Sequence, residues 1–194
     1  EVDEGDPFNK LLHAKSINNI KARNIFQEVS SEIIDTPDKN LKNIDIKVEE
    51  KATGEVLVGA GVGSDGGTAQ FSVSENNFLG KGVKLSTGLR VSEERLRGNF
   101  TVVNPNFNYS DKALSTDIFL TDTDKLNDSG YKSTNAGFSL GTAFEQYDDL
   151  FFRPTFRTTY EELTTNSSAS ANLKKQQGSY FTTDVGYVFD LDKR

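Results

Sequence analysis

The stretch Gly61-Val62-Gly63-Ser64-Asp65-Gly66 satisfies the pattern G-x-G-x-x-G, which can cradle a dinucleotide pyrophosphate. That chemistry needs a helix to follow, so that the helix N-terminus meets the phosphates. A β pattern follows instead, and the stretch reads as a hairpin turn. His13 is the only histidine. With no second histidine or cysteine near it, it offers neither a metal site nor a catalytic triad. The acidic run "DTDKLNDSG" at 122–130 carries several oxygen ligands but lacks the spacing of a calcium loop. It reads as a solvated loop. Cysteine is absent, which removes disulfides, thiolate metal sites and a thiol nucleophile. Arg95, Arg97, Arg153 and Arg157 could line a pore or pair with acids such as Asp117 and Asp184. No residue set points to covalent catalysis, so no enzyme, metal or cofactor is expected.

Composition narrows the class. The chain has 194 residues, with 22 basic and 29 acidic side chains and a formal charge of −7. That balance argues against a nucleic-acid partner, because neutralising phosphates needs a basic surface. The chain lacks methionine, so a processed chain or a fragment is expected. Its first residues do not form a signal peptide, which needs a basic segment followed by an apolar one. Hydrophobic content is 35%, low for a globular core. No apolar run approaches the roughly 18 residues of a membrane helix. A very polar soluble β protein and a membrane β-barrel both remain. In a barrel only alternate residues meet lipid, so average hydropathy looks soluble.

The elements fall into two groups. In residues 1–52, "EGDPFNKLLHAKSINNIKARN" predicts a helix with Asp6 as N-cap and Pro7 at the first helical position. Phe8, Leu11, Leu12, Ile17 and Ile20 form its imperfect apolar stripe, and Asn24 is a plausible stop. "IFQEVSSEII" reads as a strand. "KNIDIKVEEK" alternates cleanly, with Ile44, Ile46 and Val48 against Asp45, Lys47 and Glu49. From residue 53 onward only strands are found, eight of them, each about 7 to 11 residues long, which suits tilted membrane strands. The first strand is Gly-rich: Glu55, Val56, Leu57, Val58, Gly59, Ala60, Gly61, Val62, Gly63.

The connections alternate in kind. Those at Ser74–Gly82, Asn104–Asp111 and Glu145–Asp149 are compact and carry Phe78, Phe107, Tyr109 and Tyr147. Between them lie long polar loops, Asp122–Thr134 and Glu161–Gly178. Transmembrane barrels have short periplasmic turns, longer outer loops and aromatic girdles. The four aromatics are therefore expected at a periplasmic membrane boundary. The charges sort by parity. Leu89, Phe100, Ile118, Phe138, Phe156 and Val185 lie on a parity free of charge. Arg95, Arg97, Asp117, Arg153, Arg157 and Asp184 lie on the other, expected to face the lumen. A soluble sandwich would also hide one apolar face. Pro154 counts against a continuous strand, because it removes a ladder donor.

"VEEKATGEVLVGAGVGSDGGTAQFSVSENNFLGKGVKLS" and "NPNF" carry a resemblance. In order they give V-x-E-K-x-T-G, a Gly-rich first strand, a D/E-N-aromatic-L-G-x-G turn and an N-P-aromatic turn. This resembles the junction of the last POTRA domain with the barrel in BamA-type outer-membrane assembly factors, and it covers essentially the whole chain. "RNIFQEV" departs from the family's Gly-aromatic-aromatic signature, since Asn24 stands for Gly and Ile25 for an aromatic. The resemblance implies a mainly β fold: a partial α+β POTRA domain at 1–52, then residues 53–194 as the first half of an antiparallel up-and-down transmembrane β-barrel. It implies a bacterial outer-membrane location with the N-terminal segment in the periplasm. It also implies unfolded β-barrel clients, accessory lipoproteins met through the POTRA domain, and contact with membrane lipid. The expected function is insertion of barrel proteins through a lateral seam at the Gly-rich strand. The alternatives are a related secretion or translocation channel, and a soluble β-rich binding domain.

Overall fold

Asn9 sets where the first helix begins. In the computed structural model, which describes residues 4–38, 41–64 and 66–193, the Asn9 side chain accepts hydrogen bonds from the Leu11 and Leu12 amides. This satisfies two of the amides a helix start leaves unpaired. Helix α1 therefore spans Lys10–Ala22. Asp6 is not its cap, and Phe8 lies outside it. The predicted stop is present: Asn24 adopts a left-handed φ of 56°. Strands β1 (Phe26–Asp35) and β2 (Lys42–Glu50) pair antiparallel. Among the described residues of this unit, the buried apolar ones are Ile17 and Ile25.

The contacts divide the chain into Glu1–Thr53 and Gly54–Arg194. The second unit is one eight-stranded antiparallel sheet: β3 (Gly54–Gly63), β4 (Gly66–Phe78), β5 (Val83–Ser92), β6 (Arg95–Asn104), β7 (Ala113–Lys125), β8 (Tyr131–Tyr147), β9 (Leu150–Thr165) and β10 (Gly178–Leu191). Each strand pairs with its sequence neighbours, in the order β10-β9-β8-β7-β6-β5-β4-β3. The sheet is not closed: β3 and β10 are its edges. Up-and-down connectivity puts alternate turns at opposite ends. One end carries the turns after β4, β6 and β8. The other carries the β5–β6 turn and the connections after β7 and β9.

The strands run longer than their sequences suggest, from 10 to 17 residues. Much of the expected Asp122–Thr134 loop is ladder, with Asp122 opposite Thr134 and Lys125 opposite Tyr131. Polar cross-strand pairs hold it. Thr134 donates to Asp122 at 2.7 Å, and Lys132 Nζ lies 3.2 Å from the same carboxylate. Similarly, β9 runs on to Thr165, and the following segment folds a short helix α2 at Ala171–Lys175, capped by Ser170. The turn residues are fewer as well. β4 continues through Phe78, which pairs with Val83 after a register shift. Pro154 does sit inside β9. The β8–β9 ladder keeps its register across it, but no residues pair between Gly141 opposite Thr155 and Phe144 opposite Phe152, a local gap that fits the missing amide.

Candidate functional site

Directly paired residues of a sheet share a face, so the register assigns every side chain. Phe71, Leu89, Gly98, Leu120, Ala136, Tyr160 and Phe181 form one continuous row. Phe100, Ile118 and Phe138 belong to the next, and Phe156 and Val185 to the one after it. All lie on one apolar face. Arg95, Arg97, Asp117, Arg153, Arg157 and Asp184 all lie on the opposite, polar face. The parity sorting expected from sequence is thus present for these residues, while on β4 Glu75, opposite Leu85, brings a charge onto the apolar face.

The apolar face is a band with defined limits. On β8, β9 and β10 it runs from Phe144, Phe152 and Phe189 at one end to Ala136, Tyr160 and Phe181 at the other. Each span is eight residues, about 27 Å along a strand. At a tilt near 40° this is about 21 Å in depth, close to the roughly 25 Å apolar belt of an outer-membrane barrel. Charges reappear on this face just beyond Tyr160, at Asp122 and Glu162. The Tyr160 hydroxyl reaches toward them and donates to Glu162 at 3.1 Å. At the other limit Phe144, Phe152, Tyr187 and Phe189 form a ring cluster, with the Phe152 and Phe189 centroids 4.8 Å apart and stacked. The sequence reading missed this cluster, because it attended to aromatics in turns. Three strands carrying an aromatic at the same register were the signal.

The turn aromatics do share one end. Phe78 ends β4 and Tyr147 ends β8, and Phe107 and Tyr109 lie in a 3-10 turn after β6. Phe78 pairs with Val83 and Tyr147 with Leu150, both on the apolar face. Tyr109 is 98% exposed and touches the sheet least.

On the polar face the arginines find varied partners. Arg153 lies 3.1 Å from Asp190, not from the acids expected. Asp117 accepts a hydrogen bond from Thr101 at 2.6 Å. Arg157 stands opposite Asp184 in register, but its guanidinium lies 5.2 Å over the Phe119 ring. Phe119 is itself an apolar intruder on this face, and it lies against Gly137. A β-carbon at Gly137 would overlap the Phe119 ring and sit 2.8 Å from the Thr158 carbonyl oxygen. Gly137→Ala is therefore expected to cost about 1–3 kcal/mol by overpacking, read in a denaturant titration. The cost should shrink in a Phe119→Ala background.

At the far end, the β5–β6 turn is tied to the strand beside it. Lys125 Nζ lies 2.8 Å from Glu94. The Lys125 hydrogen bond, then that of Asp128, holds the Glu94 carboxyl below its ordinary range, and the same contact with Glu94 raises Asp128. Among the described residues no group of acids and histidine could hold a metal.

The edge strand β3 shows what its sequence means. Glu55, Leu57, Gly59, Gly61 and Gly63 lie on the polar face, and Val56, Val58, Ala60 and Val62 on the apolar one. β3 pairs with β4 alone, and Val58 and Val62 are 77% and 91% exposed. A β-carbon at Gly59 would meet the Gln70 side chain at 3.0 Å, while at Gly61 and Gly63 it would meet nothing within 4 Å.

The Omp85 superfamily domain matches residues 77–194, more than half of the chain. The chain belongs to the Omp85 superfamily. A stretch of 124 residues is 26% identical to the outer membrane protein assembly factor BamA of Nitratidesulfovibrio vulgaris, covering 62% of this chain and 15% of that protein. A crystal structure of BamA from Haemophilus ducreyi lacking POTRA domains 1–3 shares the fold, with a TM-score of 0.71 and 19% identity. The superposition covers 97% of this chain and 38% of that one. The chain therefore spans well under half the length of these relatives. The Omp85 match begins at Asn77, one residue before the end of β4, and takes in the whole ring cluster of β8–β10.

Proposed function

We propose that this chain is part of an outer-membrane protein assembly factor that inserts and folds β-barrel proteins through a lateral seam at β3. In this reading Gly54–Arg194 is half of a barrel, with the apolar band against lipid and the polar face toward the lumen. Phe78, Phe107, Tyr109 and Tyr147 mark the periplasmic boundary. Glu1–Thr53 is the end of a POTRA domain in the periplasm, where accessory lipoproteins would dock. Its exposed Leu11, Ile33, Ile46 and Val48 support a unit that needs further chain to cover them, as a two-stranded hairpin alone is barely stable.

The observation that carries the reading is β3. The sheet has two edge strands, β3 and β10, and β3 is the one rich in glycine. Its Gly61 and Gly63 fill open space rather than relieve a clash. Gly61, opposite Thr68, forgoes a cross-strand side-chain pair worth about 0.2–1 kcal/mol, and Gly63 stands opposite another glycine, Gly66. A seam closed by such a strand opens at low cost and presents unpaired N–H and C=O groups. A client strand adds there by β-augmentation, with no covalent step and no cofactor.

The test is reconstitution. The intact protein in lipid vesicles is expected to speed folding of an unfolded outer-membrane barrel protein into the bilayer relative to empty vesicles. Transport of a soluble polypeptide into the vesicles with no gain in barrel folding would favour the translocation-channel alternative. In that case traffic would pass Arg97 and Arg157 on the polar face.

A further inference from the structure

Arg90 and Arg97 are direct register partners on β5 and β6, on the polar face. Like charges placed directly opposite each other destabilise a sheet, so the pair needs an explanation. The carboxylates close in sequence or register are engaged elsewhere. Glu93 accepts from the Gly67 amide at 3.2 Å, and Glu94 pairs with Lys125. Glu161, in the same cross-strand row, accepts from Asn135. No hydrogen bond or ion pair holds Arg90 or Arg97 among the described residues. Together with Thr68, Ser92 and Arg95 they line a concavity of about 110 Å³. It adjoins the depression over Gly59–Gly63, which Arg90 also lines.

We infer that Arg90 and Arg97, with Thr68 beside them, form an oxyanion site on the polar face. Two guanidinium forks offer paired N–H donors whose geometry matches a carboxylate or a phosphate. The Thr68 hydroxyl adds a further polar contact, while that of Ser92 is engaged with the Arg95 backbone, accepting from its amide at 3.1 Å and donating to its carbonyl at 3.2 Å. A bound oxyanion would turn the repulsion between the two arginines into a shared attraction. The small volume fits one such group. It could be a carboxylate on a polypeptide segment lodged against this face, or a free phosphate-class anion. Both present the same chemistry to the arginines.

The sign of one substitution decides the matter. With no oxyanion bound, Arg97→Gln relieves a like-charge pair and raises the unfolding midpoint. With one bound, it removes half of the site and lowers the midpoint, by about 2–4 °C. The measurement is the thermal midpoint of the intact protein in detergent micelles. It is made in chloride buffer and again with inorganic phosphate at the same ionic strength, so that screening is constant. Arg90→Gln is run in parallel and should move the same way. A fall already present without phosphate identifies a polypeptide carboxylate. A fall only with phosphate, accompanied by a phosphate-dependent rise in the unsubstituted protein, identifies a free anion. Midpoints raised or unchanged for both variants in both buffers overturn the site.

Discussion

Phe138→Arg should cost about 2–4 kcal/mol of stability in a lipid bilayer, whereas Ser139→Arg, one residue away, should cost much less. The large figure is the price of a guanidinium near the middle of a barrel's lipid face. Phe138 sits in the row with Phe100 and Ile118, inside the apolar band and well short of Asp122 and Glu162. Phe138 is two residues inside the Ala136 limit of the band, so an arginine there must snorkel past that row or thin the bilayer to reach water. Ser139 belongs to the opposite, polar face, between Asp117 on β7 and Arg157 on β9, where an arginine meets one counter-charge and one like charge but no hydrocarbon. The measurement is the folding equilibrium of each variant into lipid vesicles across a denaturant series. Equal losses would mean that the two faces meet the same medium, and a soluble sandwich would fit better than a barrel.

The contrast rests on the part of the fold that was most legible in the sequence. Charges are costly in lipid, so a membrane strand must sort them by parity, and the sorting survives into the register without exception in the six charged residues singled out. The number and order of the strands were legible for the same reason. Their ends were not. Above the band, Asp122, Thr134 and Lys132 alternate no more clearly than a loop would, yet they pair across β7 and β8. Strand pairing there depends on the partner strand, and no local signal announces it. The aromatic limit of the band was hidden for a related reason. Phe144, Phe152 and Phe189 are far apart in sequence and become one cluster only through register. Phe119 was read as one more strand residue, but its place on the polar face is made by Gly137 on the next strand and Arg157 beyond it. At the N-terminus, Asp6-Pro7 looked like a helix start, but Asn9 captured the two free amides first.

The Gly-rich edge was legible as composition and not as mechanism. The sequence could not say whether Gly59, Gly61 and Gly63 relieve crowding or weaken a seam. The open space at Gly61 and Gly63 supports the second reading. In the proposed reading a mobile β3 is required for function, and holding it still should stop assembly while leaving the barrel folded. The chain contains no cysteine, so a designed disulfide is unambiguous. One cysteine replaces Val58, and the other is placed in the strand that faces β3 in the intact protein, at a Cα separation of about 5.5–6 Å. Client folding into vesicles is followed with the pair oxidised and again after reduction. The account predicts that oxidation abolishes client folding and that reduction restores it, with the barrel's gel mobility unchanged throughout. Normal client folding by the oxidised protein would contradict it.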